Sequence, residues 1–193
     1  MAITALKEWA VAIKALREGR QVLLVRKGGI SEETRHFRIN AERFVLFPTR
    51  EHQRADLLQP EFQQDLADIL AAPSDPTQVT FDTWGEMTDL FEITEASQVE
   101  ALSPFYCFST GYAEERLRWK PRHPLLVMAV RAYRLEQPLV LPMRKEFGGC
   151  KSWLTLDEEL PPGGMTAALD DATYAAQIAA VREALERVPT GAA

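Results

Sequence analysis

Between Arg54 and Arg116 the chain carries no Lys or Arg, and this gap cuts the sequence into blocks of opposite charge. Residues 1–54 hold 11 basic and 6 acidic side chains, a balance of +5. Residues 55–112 hold 11 acidic and no basic ones, a balance of −11. Residues 113–151 return to +5, with 9 basic against 4 acidic, and residues 152–193 fall to −5, with 2 against 7. The formal net charge of −6 therefore hides two basic segments, both carrying aromatic residues, separated by an acidic one. If the basic segments meet in the fold, they form a site for an anion.

The size and content bound what such a fold can be. A chain of 193 residues with 46% hydrophobic content is long enough for one globular domain with a full core. The apolar stretch around Leu125–Val130 is far short of the ~20 residues that span a bilayer, so no membrane partner is expected. The N-terminal MAITALKEWAVAIKAL contains Glu8 and lacks a small-residue cleavage site after an apolar core, so it is not read as a signal peptide. Two cysteines, Cys107 and Cys150, cannot build a disulfide framework or a four-thiolate zinc site. Reduced thiols and a cytoplasmic location are expected.

Periodicity gives the coarse elements. Leu6, Trp9, Ile13 and Leu16 recur at spacings of three and four, which predicts a helix over residues 2–18 ending at Gly19. Gln21–Arg26 reads as a buried strand followed by a Gly28-Gly29 turn, and Arg43–Phe47 as a second strand stopped by Pro48. Pro60 opens a helix that runs to Pro73. Val79–Ile93 alternates irregularly around Gly85 and predicts two short strands or one bulged strand. Short helices follow at Ser97–Leu102 and Tyr112–Trp119, then strands at Leu125–Leu135 and Lys151–Leu156. After the breaker Pro161-Pro162-Gly163-Gly164, residues 170–188 carry an amphipathic pattern through Tyr174, Ile178, Val181 and Leu185. Helices and strands are interspersed without regular alternation. The class is α+β: a mixed, largely antiparallel sheet with flanking helices and a C-terminal amphipathic helix. Residues 1–160 are expected as a single domain and 161–193 as a breaker plus accessory helix.

The familiar catalytic and cofactor signatures are missing. No Asp/Glu-x-Lys nuclease pattern, Walker loop, dinucleotide fingerprint or nucleophile elbow occurs, and the glycine pairs 28–29, 148–149 and 163–164 lack the required spacing. His36, His52 and His123 are scattered, so neither a histidine-rich metal site nor a cofactor is expected. Whether any bond is made or broken is left open.

Four segments carry candidate chemistry. Arg26-Lys27-Gly28-Gly29 closes a buried strand with two cations beside a glycine turn, which suits an anion cradle and equally suits a tight turn with solvated charges. His52 and Gln53, after the second strand, can hydrogen-bond a base edge, and His52 can shuttle a proton near neutral pH, or the pair can simply form a surface turn. Arg116, Trp119 and Lys120, with Arg131 and Tyr133 on one face of the next strand, combine stacking with phosphate pairing. The competing reading makes Trp119 and Tyr133 core aromatics. Lys151 and Trp153 follow a Gly-Gly-Cys turn in which Cys150 beside a lysine is a weak nucleophile candidate. As small buried hydrophobes, such cysteines are otherwise inert.

The order of these segments carries a resemblance. ALKEWAVAIKAL, QVLLVRKGGI, FVLFPTREHQ, RLRWKPRHPLLVMAVRAYRL and GGCKSWLTL, over residues 5–156, resemble the bacterial domain-of-unknown-function family 1802. The resemblance implies no assigned activity or catalytic residues. It implies only an association with DNA restriction or modification, and no nuclease segment is present here. At fold level a curled sheet of this size also looks like the small PUA-like barrels that read modified bases. The leading expectation is non-catalytic recognition of nucleic acid or a nucleotide-like anion. Two alternatives stand beside it. One is a small hydrolase or transferase on a phosphorylated substrate using His52 and Cys150. The other is a subunit that meets a protein partner through the acidic segment 55–112.

Overall fold

The computed structural model describes residues 2–27, 39–119, 123–149 and 151–188. Its backbone is a seven-stranded mixed sheet, mostly antiparallel and not closed, in the order β2-β5-β4-β3-β1-β6, with β7 on β5. The strands are β1 (Ile3–Trp9), β2 (Leu23–Arg26), β3 (Arg43–Thr49), β4 (Gln78–Ile93), β5 (Leu125–Pro142), β6 (Trp153–Leu156) and β7 (Met165–Ala167). The helices are α1 (Ala10–Arg17), α2 (Pro60–Ala71), α3 (Ala96–Leu102), α4 (Thr110–Arg118) and α5 (Asp171–Glu186). The α+β class and mixed sheet agree with the sequence. The PUA-like barrel does not form, because the sheet stays open.

The N-terminus departs from its helical reading. Residues 3–9 are strand β1, pairing parallel with β3 and antiparallel with β6, and only residues 10–17 are helical. Ile3 and Ala5 pack with Val45 and Phe47 in one core cluster, while Leu6 packs with α1, Phe44 and Leu46 in the other. A residue pair that alternates between two buried layers is strand behaviour, and sheet pairing on both sides overrides the helix-forming Ala, Leu, Lys and Glu. The spacing of Leu6, Trp9, Ile13 and Leu16 spans a strand–helix junction. At the far end of α1, Gly19 has φ +70°, and a Cβ there would lie 2.5 Å from the Leu169 side chain. No other residue ends this helix at so little cost.

β3 continues through Pro48 to Thr49, with Pro48 in register opposite Glu8. β4 is one bulged strand, with register shifts at Phe81/Thr83 and Met87/Asp89. β5 pairs β4 along its whole length, and its other edge takes β2 at residues 126–129 and β7 at 133–135. The segment after Pro161 adds β7 and then α5, whose Tyr174, Ile178 and Val181 join the same core cluster as α1 and β2. Asp170 caps α5 by accepting from the Thr173 amide at 2.7 Å.

The charge blocks fold onto one another. Asp65 of the acidic block pairs with Lys14 and Arg20, Asp82 with Arg17, Glu86 with Arg43, and Asp89 with Arg182. Much of the N-terminal positive charge is thereby neutralised on the α1 side, and what remains is elsewhere. No helix among the described residues is long and apolar enough to cross a membrane.

Candidate functional site

Although β5, β4 and β3 separate β2 from β1 in the sheet, the curl brings their ends together. Arg26, the last residue of β2, donates from Nη1 to Glu8 Oε2 of β1 at 2.9 Å and to the Lys7 carbonyl at 3.1 Å. Glu8 is 5% exposed, and its other oxygen accepts from the Trp9 amide at 2.7 Å. A buried carboxylate with both oxygens occupied is a structural tie across the curl. Thr49 Oγ1 adds a hydrogen bond to the Glu8 carbonyl at 3.0 Å.

Around this tie lies a cleft of about 450 Å³. Its lining comes from the ends of β1 (Lys7, Glu8, Trp9) and β2 (Val25, Arg26, with Lys27), the turn after β3 (Thr49, Glu51, His52), the α4 region (Phe108, Tyr112, Arg116) and the loop before β6 (Gly149, Lys151, Ser152). Both basic blocks therefore contribute to one concavity. Five cations face two carboxylates, Glu8 and Glu51.

Those cations are not equivalent. Lys7 Nζ donates to the carbonyls of Phe147 and Gly149, the latter at 3.1 Å, holding the loop that presents Lys151. Lys27 is 5% exposed and donates from Nζ to the carbonyls of Leu117, at 3.0 Å, and His123, bracing the C-terminal end of α4. Burial pushes the Lys27 ammonium below the ordinary lysine range. Each of these lysines is a strut between main-chain carbonyls. Arg116 and Lys151, by contrast, form no ion pair with a carboxylate among the described residues.

An aromatic wall completes the cleft. Tyr112 and Arg116, four residues apart, share a face of α4, and Phe108 sits just before the helix, in a bridge to Leu58. Phe108 and Tyr112 stack with centroids 4.6 Å apart, and the Arg116 guanidinium lies over Tyr112 at 5.0 Å. Trp9 meets Phe108 edge-on at 5.2 Å and Tyr112 at 5.9 Å. Burial raises the Tyr112 hydroxyl pKa, with Arg116 acting in the opposite sense. Ser109 caps α4 by accepting from the Tyr112 amide, which sets the start of this face.

Two backbone features mark the rim. His52 is exposed and sits at φ +60°, an uncommon conformation for a residue with a Cβ. Gly149, at φ +77°, lets the loop before β6 turn where a side chain would be strained.

The candidates from sequence divide accordingly. Arg26, Lys27, His52, Arg116 and Lys151 line the cleft. Gln53 is next to it, but its amide ties α1 to β3, accepting from the Val11 amide and donating to the Thr49 carbonyl. Arg131 and Tyr133 lie elsewhere: Arg131 is paired with Asp171 of α5, and the Tyr133 hydroxyl donates to Glu86 at 3.0 Å. Trp153 packs edge-on against Phe44, also away from the lining. Trp119 is exposed just beyond α4 and is not part of the lining. Gly28, Gly29, Lys120 and Cys150 lie outside the described residues, as does His36. Cys107 is fully buried, and burial pushes its thiol well above the ordinary range, so it is a packing residue. Among the described residues no group of three or more His, Cys, Asp or Glu is placed to hold a metal ion.

The sequence reading missed Lys7, Glu8 and Trp9, because they were assigned to a helix. It also missed Tyr112, which the four-residue spacing from Phe108 to Arg116 could have flagged.

The profile of the family described as "Domain of unknown function (DUF1802)" matches residues 5–180, which extends beyond Pro161 into α5. No curated protein matches the chain. Among solved structures it is similar to a point mutant of the ZmASCH protein from Zymomonas mobilis, with 12% identity and a TM-score of 0.40, covering 91% of this chain and 94% of that one. That likeness is too distant to bear on the cleft.

Proposed function

We propose a function for this chain, which belongs to the DUF1802 family of domains of unknown function: its cleft recognises nucleic acid or a nucleotide-like anion. The observation that carries the reading is the meeting of both basic segments in one concavity with an aromatic wall. A volume of about 450 Å³ is typical of small-ligand sites. Cations without carboxylate partners attract phosphate, and Trp9 and the flat Arg116 guanidinium over Tyr112 offer stacking surfaces to a base. Binding without chemistry is the simplest use of such a site. A nucleic-acid ligand and the free Cys107 thiol both suit a cytoplasmic location.

The test is an anisotropy titration of the full chain with a labelled mixed-sequence oligonucleotide at about 50 and 200 mM salt. Binding that weakens with salt is expected, because cation–phosphate pairing releases counterions. An absence of binding at both salt concentrations overturns the reading.

A further inference from the structure

We infer that the cleft receives one nucleotide of an unpaired strand, its base against the Tyr112–Arg116 wall and its phosphates on Arg116 and Lys151. This deepens the reading above and rests on it.

Three observations lead there. The first is shape: the cations lie in a concavity of about 450 Å³, large enough for a nucleotide. Reading paired bases instead requires an element that enters a groove about 12 Å wide. The α4 helix has no such role, since Arg118 is paired with Glu114 and its Tyr112–Arg116 face lines the concavity.

The second is the count of available charge. Lys7, Arg26 and Lys27 are committed to main-chain carbonyls and Glu8. Arg116 and Lys151 are the lining cations with neither a carboxylate nor a main-chain carbonyl partner among the described residues. Two cations neutralise about two phosphates, whereas a duplex binder commonly makes about 6–10 such contacts. Glu51 in the lining further opposes a long phosphate track.

The third is the stacked column itself. Phe108 stacks on Tyr112 and Tyr112 in turn lies under the Arg116 guanidinium, so their mutual packing holds the surface that a base meets. Every base has a π-face, so such a wall accepts any base that is not already paired and stacked.

The proposal is tested by competition against a labelled six-nucleotide strand bound to the full chain. Competitors are inorganic phosphate, a nucleoside 5′-monophosphate, single strands of two, four and six nucleotides, and a blunt 12-base-pair duplex. With two phosphates neutralised, affinity for the single strand should fall about sevenfold between 50 and 200 mM salt. The strand series should gain little beyond four nucleotides, and the duplex should compete at least tenfold more weakly. Arg116→Ala and the exposed Lys151→Ala should each cost about fivefold or more, with circular dichroism confirming the fold. Arg131→Ala should stay within twofold. A duplex that competes as well as the strand, or phosphate that competes as well as the nucleotide, overturns the unpaired-nucleotide assignment while leaving an anion site. If the labelled strand does not bind at all, the underlying recognition reading fails with it.

Discussion

The cleft and the β5–α5 face are built from the same residue types, arginine beside tyrosine, yet they end in opposite electrostatic states. In the cleft, Arg116 lies over Tyr112 with no carboxylate partner among the described residues. On the β5–α5 face, Arg131 lies over Tyr133 and Tyr174 at 5.5 and 5.6 Å, but Asp171 pairs with it, Glu86 accepts from Tyr133, and Thr88 bonds the Tyr174 hydroxyl at 2.7 Å. The second assembly is a carboxylate-paired network that docks α5 on the sheet, although Arg131 Nε has no hydrogen-bond partner in it. On the proposed reading, an Arg–Tyr pair marks a ligand site only where the fold withholds the counter-charge. Acidic residues of the central block and of α5 supply that charge to β5, and among the described residues no equivalent pairs with Arg116 or Lys151.

The largest expected effect contrasts the acids of the two regions. Glu8→Ala would strand Arg26, whose side chain is only 13% exposed, and should cost about 3–5 kcal/mol in a denaturant titration. Asp171→Ala removes an acid that is 91% exposed and should cost no more than about 1 kcal/mol. If the two losses are equal, the buried tie across the curl is not what holds the cleft together.

Next comes ligand affinity. Arg116→Ala should weaken oligonucleotide binding by about 1 kcal/mol or more, and Arg131→Ala should leave it unchanged within error, as read by anisotropy. Equal losses would dissolve the distinction between the faces.

A smaller effect appears at alkaline pH. Burial raises the Tyr174 hydroxyl from about 10 to about 12. A pKa raised by folding means that the folded state holds its proton more tightly. The stabilisation is complete below pH 10 and is lost as pH climbs toward 12. Tyr174→Phe should remove about 1 kcal/mol of the stability lost between pH 9 and 11, followed by urea denaturation across that range. Tyr112, also raised by burial, contributes in the same direction from the cleft side.

The smallest effect belongs to the rim. His52→Gly relieves a left-handed backbone and should raise stability by less than about 1 kcal/mol in a thermal scan, because glycine also frees the unfolded chain.

What could be read in the sequence follows from the range of the interactions involved. α2, α4 and α5 were legible from local signals: Pro60 at the start of the first, Pro121 after the second, and the periodic face of the third. β1 was not, because its strand character comes from pairing with β3, some forty residues on, and with β6, about 150 residues away. Lys27 and Arg116 were legible as charges, but their roles were not. A buried strut and a cation laid over a ring look alike until Leu117 and His123 supply carbonyls to one and, among the described residues, no carboxylate pairs with the other. Arg131 and Tyr133 shared a strand face with the right chemistry, and only the docking of α5 placed Asp171 against them. Nothing local in LVMAVRAYRL encodes that.

The central claim is that the ligand sits in the cleft and not on the β5–α5 face. Amide chemical-shift mapping of the labelled chain, titrated with a short single-stranded oligonucleotide, addresses it directly. Shifts should concentrate at Lys7–Trp9, Val25–Lys27, Thr49–His52, Tyr112–Arg116 and Lys151–Ser152, with the Trp9 indole among the largest. Shifts centred on Arg131, Tyr133 and α5, with the cleft silent, would contradict it.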